Sequence, residues 1–173
     1  MKKIACLSAL ACVLAVGAGS AFAGQSTVTA GYAQGDAQGV QNKVKGFNLK
    51  YRYEQDNNPL GVISSFTYLE KNSSDSGIYD KGQYMGFTAG PAYRLNDWAS
   101  LYGVVGFSHG KVTSNNTNTN GQDNRSNDDY GFTYGAGVQF NPIEDVALDV
   151  GYEQSRIRSV DVGAWAVGVG YRF

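Results

Sequence analysis

Apolar residues recur at every second position through most of this 173-residue chain. Counting back from the end, Phe173, Tyr171, Val169, Val167 and Trp165 share one face, and Arg172, Gly170, Gly168 and Ala166 share the other. A period of two is a strand, and its small face looks into something crowded. The same alternation returns at Val28–Tyr32, Phe47–Tyr53, Val62–Tyr68, Met85–Tyr93, Leu101–Phe107, Phe132–Phe140 and Val146–Tyr152. Ile63 blurs the third of these by placing an aliphatic residue on the opposite face. The pattern predicts eight strands of about ten residues, the length a tilted strand needs to cross a bilayer core. Eight is even, as a closed antiparallel bacterial barrel requires, and a chain that stops on an aromatic strand predicts that this strand closes the sheet. The expected fold is all-β: an eight-stranded antiparallel transmembrane β-barrel with a polar, side-chain-filled interior.

The connections alternate in kind. Asp56-Asn57-Asn58-Pro59, Asn96-Asp97 and Asn141 to Asp145 read as tight turns. Gly35 to Val44, Asn72 to Gly82 and Val112 to Asp129 read as longer polar loops, with a short one near Arg158-Ser159. Short turns face the periplasm in such barrels and long loops face outward, so both termini are expected on the periplasmic side. Asn115 to Asn120, all Asn and Thr, cannot bury apolar surface and is expected to be mobile at its tip.

The first residues change the picture in a different way. Met1-Lys2-Lys3, an apolar run from Ile4 to Gly19 and Ala21-Phe22-Ala23 form a basic, apolar and small-x-small series. That is a secretory signal peptide over residues 1–23, leaving 24–173 as a single barrel domain. Both cysteines, Cys6 and Cys12, fall inside it, so no disulfide or thiolate metal site is expected in the mature chain. The full chain sets fourteen Lys and Arg against fifteen Asp and Glu; without Lys2 and Lys3 it is twelve against fifteen, a net charge of −3. With no basic patch, nucleic acid is not an expected partner.

Parity sorts the remaining chemistry. Lys50, Arg52, Glu54, Arg94, Asp149, Glu153 and Arg172 all fall on the inner face. An eight-stranded barrel is just wide enough for its own side chains to fill, and both signs are present, so the expectation is a salt-bridged plug that does not conduct. Tyr32, Tyr53, Tyr93, Phe140, Tyr152, Trp165 and Tyr171 fall near strand ends on the outer face and read as two interfacial aromatic girdles. The closing residues Trp165, Val167, Val169, Tyr171 and Phe173 are the expected assembly signal. The single histidine, His109, shares the outer face with Val105 and Phe107 and has no nearby carboxylate or serine in a cleft, so no catalytic residue is expected. Asp123, Asp128 and Asp129 have no specific metal-ligand spacing; neither a metal nor a cofactor is expected.

Two stretches carry a family resemblance. Gly46-Phe47-Asn48-Leu49-Lys50-Tyr51-Arg52-Tyr53-Glu54 and Trp165 to Phe173 resemble the two signatures of the outer-membrane protein X family, which includes Ail and Lom. Pro59 to Ile63, Ala89 to Arg94 and Glu153 to Asp161 carry the likeness across the mature chain, while Val112 to Asp129 departs from it. The resemblance implies a bacterial outer-membrane location, recognition by the barrel-assembly machinery, and adhesion, host-cell entry or complement resistance, with host cell-surface or complement proteins as partners. From the residues themselves, the expected neighbours are outer-membrane lipid and lipopolysaccharide, and the barrel is expected to be a monomer. A protruding edge or loop at Phe107, Lys111, Arg125, Tyr130 and Phe132 is the candidate for binding a partner by strand addition. The alternative is a structural or envelope-stress component with no dedicated ligand; a small channel ranks below both.

Overall fold

The computed structural model describes residues 24–37, 44–75, 78–115, 125–157 and 160–173. They form eight strands: β1 (Gly24–Ala37), β2 (Val44–Gln55), β3 (Leu60–Asp75), β4 (Ile78–Asn96), β5 (Ala99–Asn115), β6 (Arg125–Ile143), β7 (Val146–Ile157) and β8 (Val160–Arg172). Each strand pairs antiparallel with its chain neighbour, and β8 pairs with β1 to close the barrel. Closure runs from Thr27 opposite Arg172 to Ala37 opposite Val162. Beyond it, Ser26 and Phe173 exchange backbone hydrogen bonds of 2.7 and 2.8 Å. A closed ladder removes the open sheet edge from the wall, which is the condition for a sheet to cross hydrocarbon. The expected signal peptide lies outside the described residues.

The molecule is inside-out relative to a water-soluble protein. Buried residues include Thr27, Thr29, Asn48, Lys50, Arg52, Ser65, Thr67, Thr88 and Asp149. Exposed ones include Val62, Phe87, Val105, Phe107, Val167 and Val169. Such an apolar band would be an aggregation surface in water; facing lipid tails it is the solvated side. Most of the buried apolar residues form two clusters: Ile63 with Ala92, Tyr102 and Val104, and Leu69 with Ala33, Tyr84, Ala164 and Ala166. Ile63, which blurs the alternation, fills one of these inner positions.

Three tight turns lie at the end that carries the termini. Asn57 adopts φ 69°, a left-handed conformation that Asn tolerates better than most residues. Asn58 N–H donates to Gln55 O at 3.2 Å, and Asn58 Oδ1 accepts from Leu60 N at 3.0 Å. Asn96 Oδ1 accepts from Ala99 N at 2.8 Å, fastening the β4–β5 turn. The β6–β7 turn is shorter than the five residues expected. β6 continues to Ile143, with a register shift between Phe140 and Ile143.

At the other end the structure corrects two expected loops. Asn72 to Gly82 is mostly strand: β3 reaches Asp75 and β4 begins at Ile78, paired from Lys71–Gly82 to Asp75–Ile78. Val112 to Asp129 is half strand, with Val112 opposite Asn127 and Ser114 opposite Arg125. Ladder hydrogen bonds hold these polar stretches extended against their low strand propensity. Most of the Asn and Thr run, residues 116–120, lies outside the described residues.

Candidate functional site: a stacked polar interior and a projecting sheet

The seven inward charges fall into three groups along the barrel axis. Nearest the termini, Glu54 on β2 is shared by three arginines. Arg52 Nη2 donates to its Oε1 at 2.6 Å, Arg94 Nε to the same oxygen at 2.8 Å, and Arg94 Nη2 to Oε2. Arg172 Nη2 stands 3.9 Å from Oε2. Arg52 also donates through Nη1 to Ser100 Oγ at 2.6 Å and Gln139 Oε1 at 2.7 Å. Charge-assisted, forked bonds of this kind are strong where water is scarce.

One layer further in, Lys50 pairs with Asp149, both almost fully buried. Tyr102 Oη donates to Asp149 Oδ1 at 3.0 Å, and Lys50 Nζ lies 5.4 Å from the Tyr102 ring centre. Glycine makes this layer possible. A Cβ at Gly137 would lie 2.2 Å from Tyr102 Oη, and one at Gly151 would lie 2.5 Å from it and 3.1 Å from Lys50 Nζ. Period-two parity leaves Tyr102 among the inward positions, between the outward Leu101 and Gly103, but nothing in the sequence marks it as the partner of Lys50 and Asp149.

The third group is a correction. Glu153 has no cationic partner among the described residues. Its carboxylate accepts hydrogen bonds from Ser65 Oγ and Thr67 Oγ1, each 2.8 Å, and from Thr88 Oγ1 at 3.5 Å. Asn48 Nδ2 donates to the oxygens of Ser65 and Thr67, at 2.9 and 2.7 Å, orienting their protons toward Glu153. The reason is register: the inward residues of β3 at this height are Ser65 and Thr67, so hydroxyls rather than a base face β7. Above lie the hydrogen-bonded trio Tyr84, Ser155 and Thr133, and then the apolar layer of Leu69, Ala33, Ala164 and Ala166.

The outward aromatics form two belts. Tyr53, Tyr93, Phe140, Tyr171 and Phe173 lie toward the termini, where Trp98 stacks on Phe140 at 6.1 Å. Tyr32 and the Tyr152–Trp165 pair, 4.8 Å apart, lie toward the other end. Trp165 to Phe173 is eight steps, about 26 Å along the strand at ~3.3 Å each. A tilt of ~40° reduces this to about 20 Å of height, near the thickness of an outer-membrane apolar band. His109 faces outward in this upper region, its ring 4.8 Å from that of Tyr130.

Above this belt the wall is uneven. β3 to β6 have 16 to 19 residues, whereas β1, β2, β7 and β8 have 12 to 14. The pairing of β2 with β3 stops at Glu70, and that of β6 with β7 at Gly131. Among the described residues, a four-stranded sheet therefore extends past the last pairs with β2 and β7, with residues 71–75 of β3 and 125–130 of β6 along its two sides. This relocates the expected edge. Phe107 and Lys111 lie on β5, an interior strand of the sheet, and Phe107 is a highly exposed outward residue. Arg125 and Tyr130 do lie on the β6 edge, and Phe132 follows just below it.

A closed barrel with an apolar exterior, a polar interior and aromatic belts defines a class, the outer-membrane β-barrels. Residues 4–173 match the family described as outer membrane protein beta-barrel domain. Outer membrane protein X of Enterobacter cloacae is 71% identical over the whole of both chains. The virulence membrane protein PagC of Salmonella typhimurium is 41% identical across 88% of this chain and 89% of its own. The crystal structure of Ail, the attachment invasion locus protein of Yersinia pestis, in complex with the heparin analogue sucrose octasulfate, has a TM-score of 0.80 at 39% identity. That match covers 87% of this chain and 99% of the Ail chain. The chain belongs to the outer-membrane β-barrel family, in the branch of outer membrane protein X and Ail.

Proposed function

We propose that this outer-membrane barrel is a non-enzymatic surface protein whose projecting sheet captures host-cell or complement proteins by strand addition. The observation that carries the reading is the projecting sheet, whose outer strands β3 and β6 run past their last described pairs with β2 and β7 and so offer edges suited to strand addition. Residues 1–23 serve as the export signal, both termini face the periplasm, and the β1–β8 closure guided by Trp165 to Phe173 is what the assembly machinery completes. The attachment and virulence names of the relatives support a role at the host surface.

Cell binding and serum survival test this in three strains: wild type, a chain lacking Ser114 to Ser126, and a chain with residues 116–124 scrambled at constant length. Strand addition uses backbone bonds, so the deletion is expected to abolish both activities and the scramble to preserve them. Loss on scrambling would place recognition in loop side chains. Full activity in the deletion would move the contact off the β5–β6 hairpin, and wild-type levels no higher than those of a strain without the protein would leave the reading of a structural envelope component with no dedicated ligand.

A further inference from the structure

The barrel end that carries the termini opens into a cavity of about 360 Å³. Its floor is positive. Arg172 has one ion partner among the described residues, Glu54 at 3.9 Å, and that carboxylate already accepts from Arg52 and Arg94. Arg172 Nε is buried without an acceptor. Its backbone N–H donates to Asp145 O at 2.8 Å, fixing the β6–β7 turn beside the guanidinium. The rim is negative: Asp97, Glu144 and Asp145 line the same cavity from two exposed turns. The apolar layer around Leu69 lies toward the opposite end of the interior.

Arg52 does not line the cavity, and Arg94 is engaged by Glu54 and by the Asp97 carbonyl at 3.3 Å, so Arg172 is the guanidinium left to fork onto an anion, whereas three rim carboxylates repel a bare anion and attract an ammonium group. A bare cation meets the opposite conflict at the floor. We propose that this mouth binds a small zwitterion, which presents a phosphate or carboxylate to Arg172 and a primary ammonium group to Asp97, Glu144 and Asp145. The cavity lies within the size range of small-molecule sites.

The test uses the purified full barrel in an uncharged sugar detergent, titrated with O-phosphoethanolamine, inorganic phosphate or ethylammonium. NMR reads the Arg172 Nε–H signal and the turn amides at Asp97, Glu144 and Asp145. Phosphoethanolamine is expected to give a saturable shift with a Kd at least about tenfold below that of phosphate, and ethylammonium none. Asp97→Asn combined with Glu144→Gln and Asp145→Asn is expected to bring phosphate and the zwitterion within about twofold of each other, because it removes all three ammonium partners. Arg172→Gln is expected to abolish both; should it fail to fold, the turn variant decides. Equal affinity for phosphate and zwitterion in the wild type overturns the proposal, as does no saturable shift up to about 50 mM. Transfer to nanodiscs identifies the source of the ligand. Signals already shifted with phosphatidylethanolamine, but not phosphatidylcholine, mean a lipid headgroup; signals moved only by the free probe mean a soluble molecule.

Discussion

Glu54 and Glu153 are both buried glutamates on inward positions, and the barrel holds them by opposite means. Glu54 is held by three arginines. Glu153 is held by the hydroxyls of Ser65, Thr67 and Thr88, themselves oriented by Asn48. An ion cluster binds its members to one another, so losing one strands the rest in low dielectric. A hydroxyl cage is neutral apart from its guest, so losing the guest's charge strands nothing charged. The comparison teaches that a charged residue inside a barrel wall is not by itself a salt bridge; the cost of removing it depends on what faces it.

Three substitutions put numbers on the difference, each followed by urea unfolding in lipid vesicles with Trp98 and Trp165 as fluorescent reporters. Glu54→Gln is expected to cost the most, about 3–5 kcal/mol, because Arg52 stays buried with only neutral acceptors. A loss below about 1 kcal/mol would mean that water already compensates the cluster. Glu153→Gln is expected to change stability by no more than about 1 kcal/mol, since the amide oxygen keeps one of the two short hydroxyl bonds and the other hydroxyl can turn a lone pair to the amide N–H. A loss as large as that of Glu54→Gln would show a cation at Glu153 and erase the contrast. Thr88→Val removes the longest of the cage bonds and is expected to cost about 0.5 kcal/mol or less. Both clusters should also block ions, so the purified protein in a planar bilayer is expected to give no steady pore current; porin-like conductance would refute a filled interior.

Which face each residue takes was legible from the sequence. Period two sorts Lys50, Arg52, Glu54, Asp149 and Glu153 inward, because hydrocarbon outside tolerates only apolar side chains. Partners were not legible, because parity gives a face but neither a height nor a position around the ring. Glu153 meets Ser65 and Thr67 across 88 and 86 residues of sequence, through a register fixed jointly by all eight strands. The projecting ends of β3 to β6 were hidden for a different reason. Outside the membrane both faces of a strand are wetted, so residues 71–75 and 125–130 lose the alternation that marks the rest of the wall.

The reciprocal Ser26–Phe173 bonds set the two ends of the folded wall side by side. A short linker from Phe173 to Gly24, with new ends opened between Asn57 and Asn58, would give a circular permutant that keeps every strand pairing in the ring. In that chain the Trp165–Phe173 strand sits in mid-sequence, joined covalently to the strand it must find. Delivered to the membrane behind the original signal peptide, the permutant separates two meanings of an assembly signal: a strand of the right pattern, or a strand that must come last. Heat-modifiable gel mobility at wild-type abundance would show that the pattern suffices. Loss of folded barrel in cells, with normal refolding of the purified permutant into detergent, would show that the free end is what the machinery reads.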